Sequence, residues 1–326
     1  MKRMIVIFCV LLISIILLSG CKILTSYDFD EITEGNKIDV KKAKASGYVS
    51  TVEKEKIGYY TEDVSSDNRR YFKQAEKQKD ELYPYVKELV EHGLGRKVEI
   101  LGVTADFPYA TVNVSFQTLD EPIVKEHIAV GLSDNGYFNE GETKSSGGDG
   151  FQEAVINGLY MMAYRKEVKA MQDYIETTYP QYQGFPEGKT ATASIINPII
   201  SVEYASKGGN EGQGDLNDKE RAEIFAEYIK QPKRTDAEWR VLFDQKKNIT
   251  NLLYVMLIEK DETKLPTEAE VDTVLNDIKT NPLFKDFYSY GTLINTNIQD
   301  TQSNSSLTRQ MKAWDPENGF SGGSND

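Results

Sequence analysis

Cysteine is almost missing from this chain: of 326 residues only Cys9 and Cys21 carry a thiol, and both fall at the extreme N-terminus. No disulfide and no cysteine metal centre can staple the rest, so it must fold on a hydrophobic core alone. Histidine is nearly as scarce, with His92 and His127 only. A histidine-rich metal site is thereby excluded, and a catalytic imidazole would have to be one of two residues. No His-Glu-x-x-His motif, no P-loop with its lysine and no Gly-x-Ser-x-Gly elbow is recognised, which removes the usual signatures of zincins, P-loop nucleotide binders and triad hydrolases. Positive charge is also short: 38 Lys and Arg stand against 51 Asp and Glu, for a net charge of −13. Nucleic acid is not expected as a partner, because neutralising phosphates requires clustered basic residues.

Long apolar runs are missing everywhere except at the start. Lys2 and Arg3 precede Met4–Leu18, interrupted only by Ser14, and this run falls short of the ~20 residues of a spanning helix. Charge, apolar stretch and small residues in that order read as a removable signal. The tetrad Leu18-Ser19-Gly20-Cys21 resembles the lipobox of bacterial prolipoproteins. That resemblance implies a signal peptide over 1–20, a diacylglyceryl group and an N-acyl chain such as palmitate on Cys21, and residence on the extracytoplasmic face of the cell membrane. Two or more acyl chains, at ~0.8 kcal/mol per buried methylene, make such an anchor permanent. Without Lys2 and Arg3 the mature chain carries 36 basic against 51 acidic residues, or −15, so its body is repelled by anionic headgroups. Only Lys37, Lys41, Lys42 and Lys44 make a basic cluster near the anchor, suited to an acidic surface or simply to a solvated linker.

Residues 21–66 lack sustained periodicity and read as a polar tether; residues 299–326 are poor in apolar side chains and read as a flexible tail. Between them the pattern is informative. Tyr71, Ala75, Leu82, Val86, Leu89 and Val90 keep helical spacing over 68–91, with Pro84 as a kink or a break and Gly93 as a stop. Ala110, Val112, Val114 and Phe116 alternate as a half-buried strand between strand candidates at 98–104 and 123–132. One long helix is expected over 151–179, closed by Pro180, and Gly184, Pro186 and Gly188 mark a boundary. Beyond it come a strand with Ile200, Val202 and Tyr204, a helix with Ala222, Phe225, Ala226 and Ile229 on one face, and an apolar strand over 252–258. A helix follows with Thr267 and Glu270 as its capping box and Val271, Val274, Leu275 and Ile278 as its buried stripe. A last strand carries Tyr288, Tyr290, Thr292, Ile294 and Ile298. The expected fold is α+β, antiparallel sheets packed with helices, in two subdomains, 67–186 and 187–298.

Candidate chemistry is thin. His92 sits where a helix C-terminus favours a cation, and His127 lies in a strand with no companion motif. Ser145-Ser146-Gly147-Gly148-Asp149-Gly150 precedes a helix and could cradle an anion, although a capped loop explains it more simply. Asp215, Asn217 and Asp218 lack the spacing of a calcium loop and fit helix capping. Glu140 and Glu142 are one acid pair among many. Tyrosine is abundant, with pairs at Tyr59 and Tyr60, Tyr83 and Tyr85, and Tyr288 and Tyr290; such rings pack cores more often than they bind sugars or proteins. No catalytic, cofactor-binding or metal residues are therefore assigned, and Cys21 is the single assigned site.

The stretch Ala154-Val155-Ile156-Asn157-Gly158-Leu159-Tyr160-Met161-Met162-Ala163-Tyr164, continuing from Arg165 to Tyr174, with Tyr179 and Pro180 after it, resembles the matching helix of a Gram-positive family of lipoproteins catalogued as domain of unknown function 1672. The likeness extends over most of residues 60–298 and implies a cell-surface lipoprotein with no catalytic residues to carry over. The expected role is non-enzymatic binding of a protein, an envelope polymer or a small molecule. The alternatives are a solute-binding receptor, which needs a deep cleft between two α/β lobes, and an envelope hydrolase, which needs a carboxylate or imidazole of shifted pKa inside a cavity.

Overall fold

The structure is a computed structural model that describes residues 32–57, 66–106, 111–132, 138–145, 148–185, 199–206, 214–246, 249–300, 309–315 and 319–325. The signal, Cys21, Tyr59, Tyr60, Pro186 and Gly188 lie outside the described residues.

The reading of 21–66 as a tether fails for residues 32–57, which form a strap on the body. Strands β1 (Thr33–Glu34) and β2 (Lys37–Ile38) make a small hairpin, followed by helix α1 (Val40–Ala45), strand β3 (Tyr48–Ser50) and helix α2 (Thr51–Ile57). Asp39 caps α1 by accepting from Lys42 N at 3.0 Å, and Ser50 and Glu53 exchange bonds at the head of α2. Ile32, Ile38 and Ala43 are buried, the last two in a small cluster with Ile298. These elements are too short to show a period, which is why the pattern hides them.

Helices α3 (Ser66–Lys77) and α4 (Lys79–Leu94) follow. The expected single helix breaks at Gln78 rather than at Pro84, so the proline falls in the second turn of a new helix, near its unpaired amides. Gly95, left-handed at φ 62°, ends α4 two residues beyond the expected stop. Strands β4 (Val98–Asp106), β5 (Thr111–Thr118), β6 (Lys125–Leu132) and β7 (Phe138–Ser145) form an antiparallel meander in sequence order. Val112, Val114 and Phe116 alternate inward as expected, and with Val98, Val103 and Val130 they pack on Ala75, Leu82, Val86 and Val90 of the two helices.

The larger unit begins with α5 (Gly148–Ala163) and α6 (Arg165–Thr178), one expected helix broken at Tyr164, then strands β8 (Tyr182–Gln183) and β9 (Ile200–Ser206). Helices α7 (Gly214–Lys230) and α8 (Asp236–Asp244), strand β10 (Ile249–Glu259), helix α9 (Glu268–Thr280), strand β11 (Ser289–Asn295), and strands β12 (Ile298–Asp300), β13 (Arg309–Asp315) and β14 (Gly319–Asn325) complete it. Strand β10 lies at the centre, parallel to β11 through the α9 crossover and antiparallel to β9 and β8 along its other edge. Gly291 on β11 faces Tyr254 on β10, and a Cβ there would stand 2.3 Å from two carbons of the tyrosine ring.

The expected tail is also ordered structure: β13 pairs with β11, β14 with β13, and β12 with β3. Backbone pairing to a preformed edge holds these strands, so their low apolar content misleads. The boundary expected at 184–190 moves as well. One core takes in Val155, Leu159, Val168 and Ile175 together with Val202, Leu253, Val274 and Ile294, so α5 and α6 belong with the later strands and the two cores meet near residue 147. Arginines join them. Arg96, buried, reaches from the α4–β4 turn to Asp120 and to Pro232 O at 3.0 Å, and lies 4.5 Å from the Tyr228 ring centre. Arg165 binds Glu121 at 2.7 Å and Asp236 at 2.9 Å. The fold is α+β, as expected, with one parallel pair inside an otherwise antiparallel sheet.

Candidate functional site

A cleft of about 380 Å³ opens at the amino end of the β10–β11 pair. Two walls come from the broken helix: Tyr160 and Tyr164 are four residues apart, so their rings meet, with centroids 4.5 Å apart and planes at 35°. A third wall comes from α8, which the Thr235–Glu238 capping box starts and the buried Trp239 fixes in the core. Its Phe243 meets the Tyr160 ring edge-on at 5.3 Å. At the floor, Asn251 of β10 donates from Nδ2 to the Tyr160 hydroxyl at 2.7 Å, while its amide oxygen is buried without a hydrogen-bond partner.

The charges of the cleft divide unevenly. Arg240 lies over the Tyr164 ring, 4.8 Å from its centre, and gives Nη1 to Glu167 at 2.7 Å. Lys246 is held by Glu223 at 2.5 Å. Both cations are thus committed to carboxylates. Asp244 accepts the Tyr164 hydroxyl proton at 2.5 Å, and Asp286, exposed before β11, has no cation or donor against it among the described residues. Burial pushes the Tyr160 phenol well above its ordinary value, and negative charge from Tyr164, Asp286 and Asp244 adds to this. Burial and the bond to Asp244 raise Tyr164 in the same way, with Arg240 opposing. Both rings therefore keep their protons at neutral pH.

The other end of the same strands gathers polar groups of a different kind. Glu259, Asn295, Thr296 and Asn297 end β10 and β11, and all are buried, as are Ser50, Thr51 and Lys54 of the strap. Asn297 accepts from Thr51 N at 3.3 Å and donates to Lys260 O at 3.3 Å. Ile38 N bonds Thr263 O at 2.7 Å. Glu259 is 1% exposed, and burial raises its carboxyl despite Lys264 3.0 Å away. Lys264 also pairs with Glu270 and lies 5.7 Å from the Tyr182 ring centre; burial works against its charge, but the two carboxylates outweigh that and raise it. The strap seals this end.

A second hollow, about 440 Å³, runs between Tyr83 and Pro84 of α4 and Val98 and Ile100 of β4. Its polar rim is already paired, Lys87 with Glu91 and Glu99 with Gln117, so it lacks the convergent free polar groups that orient a ligand.

The residues singled out from the sequence are not brought together. His92 lies exposed in the last turn of α4, as expected, and His127 on β6 has Nδ1 3.2 Å from Glu126; neither lines the cleft. Glu140 and Glu142 fall in β7, Asp215, Asn217 and Asp218 within α7, and the Ser145–Gly150 run bridges β7 to α5 with Ser146 and Gly147 outside the described residues. Contrary to the sequence reading, Gly319–Gly323 do spell Gly-x-Ser-x-Gly, but they lie within β14, paired to β13, and not at a strand-to-helix turn. Among the described residues no group of three His, Cys, Asp or Glu is placed to hold a metal, and no helix is long and apolar enough to cross a membrane. Asn251, Arg240, Asp244 and Asp286 carried no signal; Tyr160 and Tyr164 stood in the segment that carries the family resemblance.

The family model described as protein of unknown function (DUF1672) matches residues 65–318. The chain belongs to the DUF1672 family. The crystal structure of a DUF1672 protein from Staphylococcus aureus subsp. aureus Mu50, at 1.80 Å resolution, shares its fold, with a TM-score of 0.52 and 14% identity over 79% of this chain and 93% of that one. No curated protein matches the sequence. The match to this DUF1672 model takes in every cleft residue and leaves out the whole strap.

Proposed function

We propose that this DUF1672 protein is a non-enzymatic, lipid-anchored binding protein of the extracytoplasmic membrane face, held by acylated Cys21 and presenting the cleft outward. The observation that carries this reading is the placement of strap and cleft at opposite ends of β10. Asn251 and Glu259 are eight residues apart on that strand, roughly 26 Å at ~3.3 Å per residue. Residues 22–31 span at most ~35 Å when fully extended, so an anchor at Cys21 holds the strap within that reach of the bilayer. The exposed Lys37, Lys41, Lys42 and Lys44 lie on the strap, on the side where anionic headgroups would attract them. The non-enzymatic part rests on Glu259: the carboxyl that burial raises is 1% exposed and lines neither of the two hollows described above. The cleft, for its part, lies inside one core and not between two lobes, which gives the solute-receptor alternative no support.

Fractionation of cells tests the anchor. The wild-type chain should stay with membranes and Cys21→Ser should be released, with intact mass showing loss of residues 1–20 and gain of lipid; an unmodified Cys21 thiol would refute it. For orientation, Asp286→Cys should react with a membrane-impermeant maleimide on intact cells faster than Lys41→Cys. Equal rates would remove the outward cleft.

A further inference from the structure

We propose that the uncovered face of the central sheet is a self-association surface, on which a second copy of this chain packs face to face. The run Leu252–Ile258 of β10 is apolar throughout, the pattern of a strand buried on both sides. The fold packs helices on one side only. There Leu253, Val255 and Leu257 join Val202 and Ile294 in the larger core, under α5, α6 and α9. The strand registers place Leu252, Tyr254, Met256, Leu293, Met311 and Ala313 together on the other side. Met311 is 40% exposed and the other five are half-buried. None of the six belongs to a buried cluster of the described residues.

Area and charge select a second copy as the cover. Strands β9, β10, β11, β13 and β14 are each at least seven residues long, and side by side they make a plane of roughly 24 by 23 Å at ~4.8 Å per strand and ~3.3 Å per residue. Two such planes cover roughly 1,100 Å² in total, just above the ~1,000 Å² at which specific interfaces begin. The chain carries a net charge of −13, so two copies repel each other over most of their surface. The two middle rows of this face, Tyr254-Gly291-Ala313 and Met256-Leu293-Met311, hold no charge. Charge returns at the ends of β13, where the same side takes Arg309 at one end and Asp315 at the other. A twofold axis lying between the sheets and crossing the strands at Lys312 brings each Arg309 over Asp315 of the second copy. The same axis sets Met311 over Ala313, and Leu293 over the row in which the Tyr254 ring lies across Gly291. Large side chains thus meet the lower row, in the aligned, self-complementary packing of two sheets about 10 Å apart.

Cross-linking in cells that make the full-length chain tests this. A membrane-permeant bismaleimide serves, so the result does not depend on where an anchor places the protein. Wild type, with its thiols at Cys9 and Cys21, gives the background. Ala313→Cys should add a band of twice the chain mass, and Val241→Cys, an exposed site on α8, should add none. Met311→Glu combined with Ala313→Cys should weaken that band about tenfold, because like charges then oppose each other inside the interface. The melting temperature should not change, since residue 311 is exposed. Arg309→Asp should weaken the band, and Arg309→Asp with Asp315→Arg should restore it. No band from Ala313→Cys would overturn the proposal. In that case uptake of a monofunctional maleimide means a bare face on a single chain, and no uptake means a cover of another kind. A band equally strong from Val241→Cys, or one that survives Met311→Glu, would overturn it as well.

Discussion

The two ends of strand β10 hold similar side chains and put them to opposite uses. At the carboxyl end Glu259 is paired with Lys264, Lys264 also with Glu270 of the α9 cap, and Asn297 with Thr51 of the strap, and Glu259 and Asn297 are buried. At the amino end Asn251, Asp244 and Asp286 line a cleft, and Asp286 is exposed. Parallel strands joined by a helix usually take ligands beyond their carboxyl ends. Here the chain's own N-terminal residues occupy that position, and the vacancy lies at the other end. Where a site can form depends on which end of a sheet the rest of the chain leaves uncovered, and polar composition alone does not report it.

Substitutions can break this contrast. The largest effect is expected at the sealed end from Lys264→Met, which strands Glu259 as a buried charge. Breaking a fully buried pair costs 3–5 kcal/mol, and since Lys264 is about a third open to solvent, roughly 2–3 kcal/mol is expected in urea unfolding at neutral pH. Asn297→Ala should cost about 1–2 kcal/mol by taking the side-chain donor from Lys260 O and leaving Thr51 N with only the backbone carbonyl of residue 297, and should make residues 32–57 the first segment cut by trypsin. Glu259→Gln separates charge from shape. The folded-state carboxyl titrates above its ordinary 4.5, so its contribution to stability is complete below that pH and lost as pH rises through the folded value. The variant should therefore gain on the wild type from acid to neutral pH, and a constant difference would contradict the burial argument. The smallest effects belong to the open end: Tyr164→Phe should cost about 0.5–1 kcal/mol, because water can replace the hydroxyl at Asp244. If it cost as much as Asn297→Ala, the two ends would not differ in kind.

Parts of this architecture are legible in the residues. Helix α9 is recovered whole, cap and stripe, because Thr267, Glu270 and the four apolar positions all state the same period. Strand β5 is recovered for the same reason. Helix α7 is recovered but turned: Ala222, Ala226 and Ile229 are exposed, and Ile224 and Tyr228 are the buried pair. Two stripes fit its sequence, and the one with larger side chains buries more area. The strap, β13 and β14 were hidden because their stability comes from partners far along the chain. The cleft was hidden likewise, since its side chains come from α5, α8, β10 and the approach to β11, and nothing local marks Asn251 or Asp286 as neighbours of Tyr160.

The pairing of β3 with β12 also dictates an order of events. Thr51 finds its partner Asn297 across 246 positions of sequence. The strap precedes both cores in the sequence, and its partners at Thr263 and Asn297 follow most of them. The meander and the central sheet can assemble in the meantime from contacts closer in sequence, which form sooner. A segment that precedes both cores is thus fastened only once the strands it covers exist, and the ends of β10 and β11 are bare until it docks.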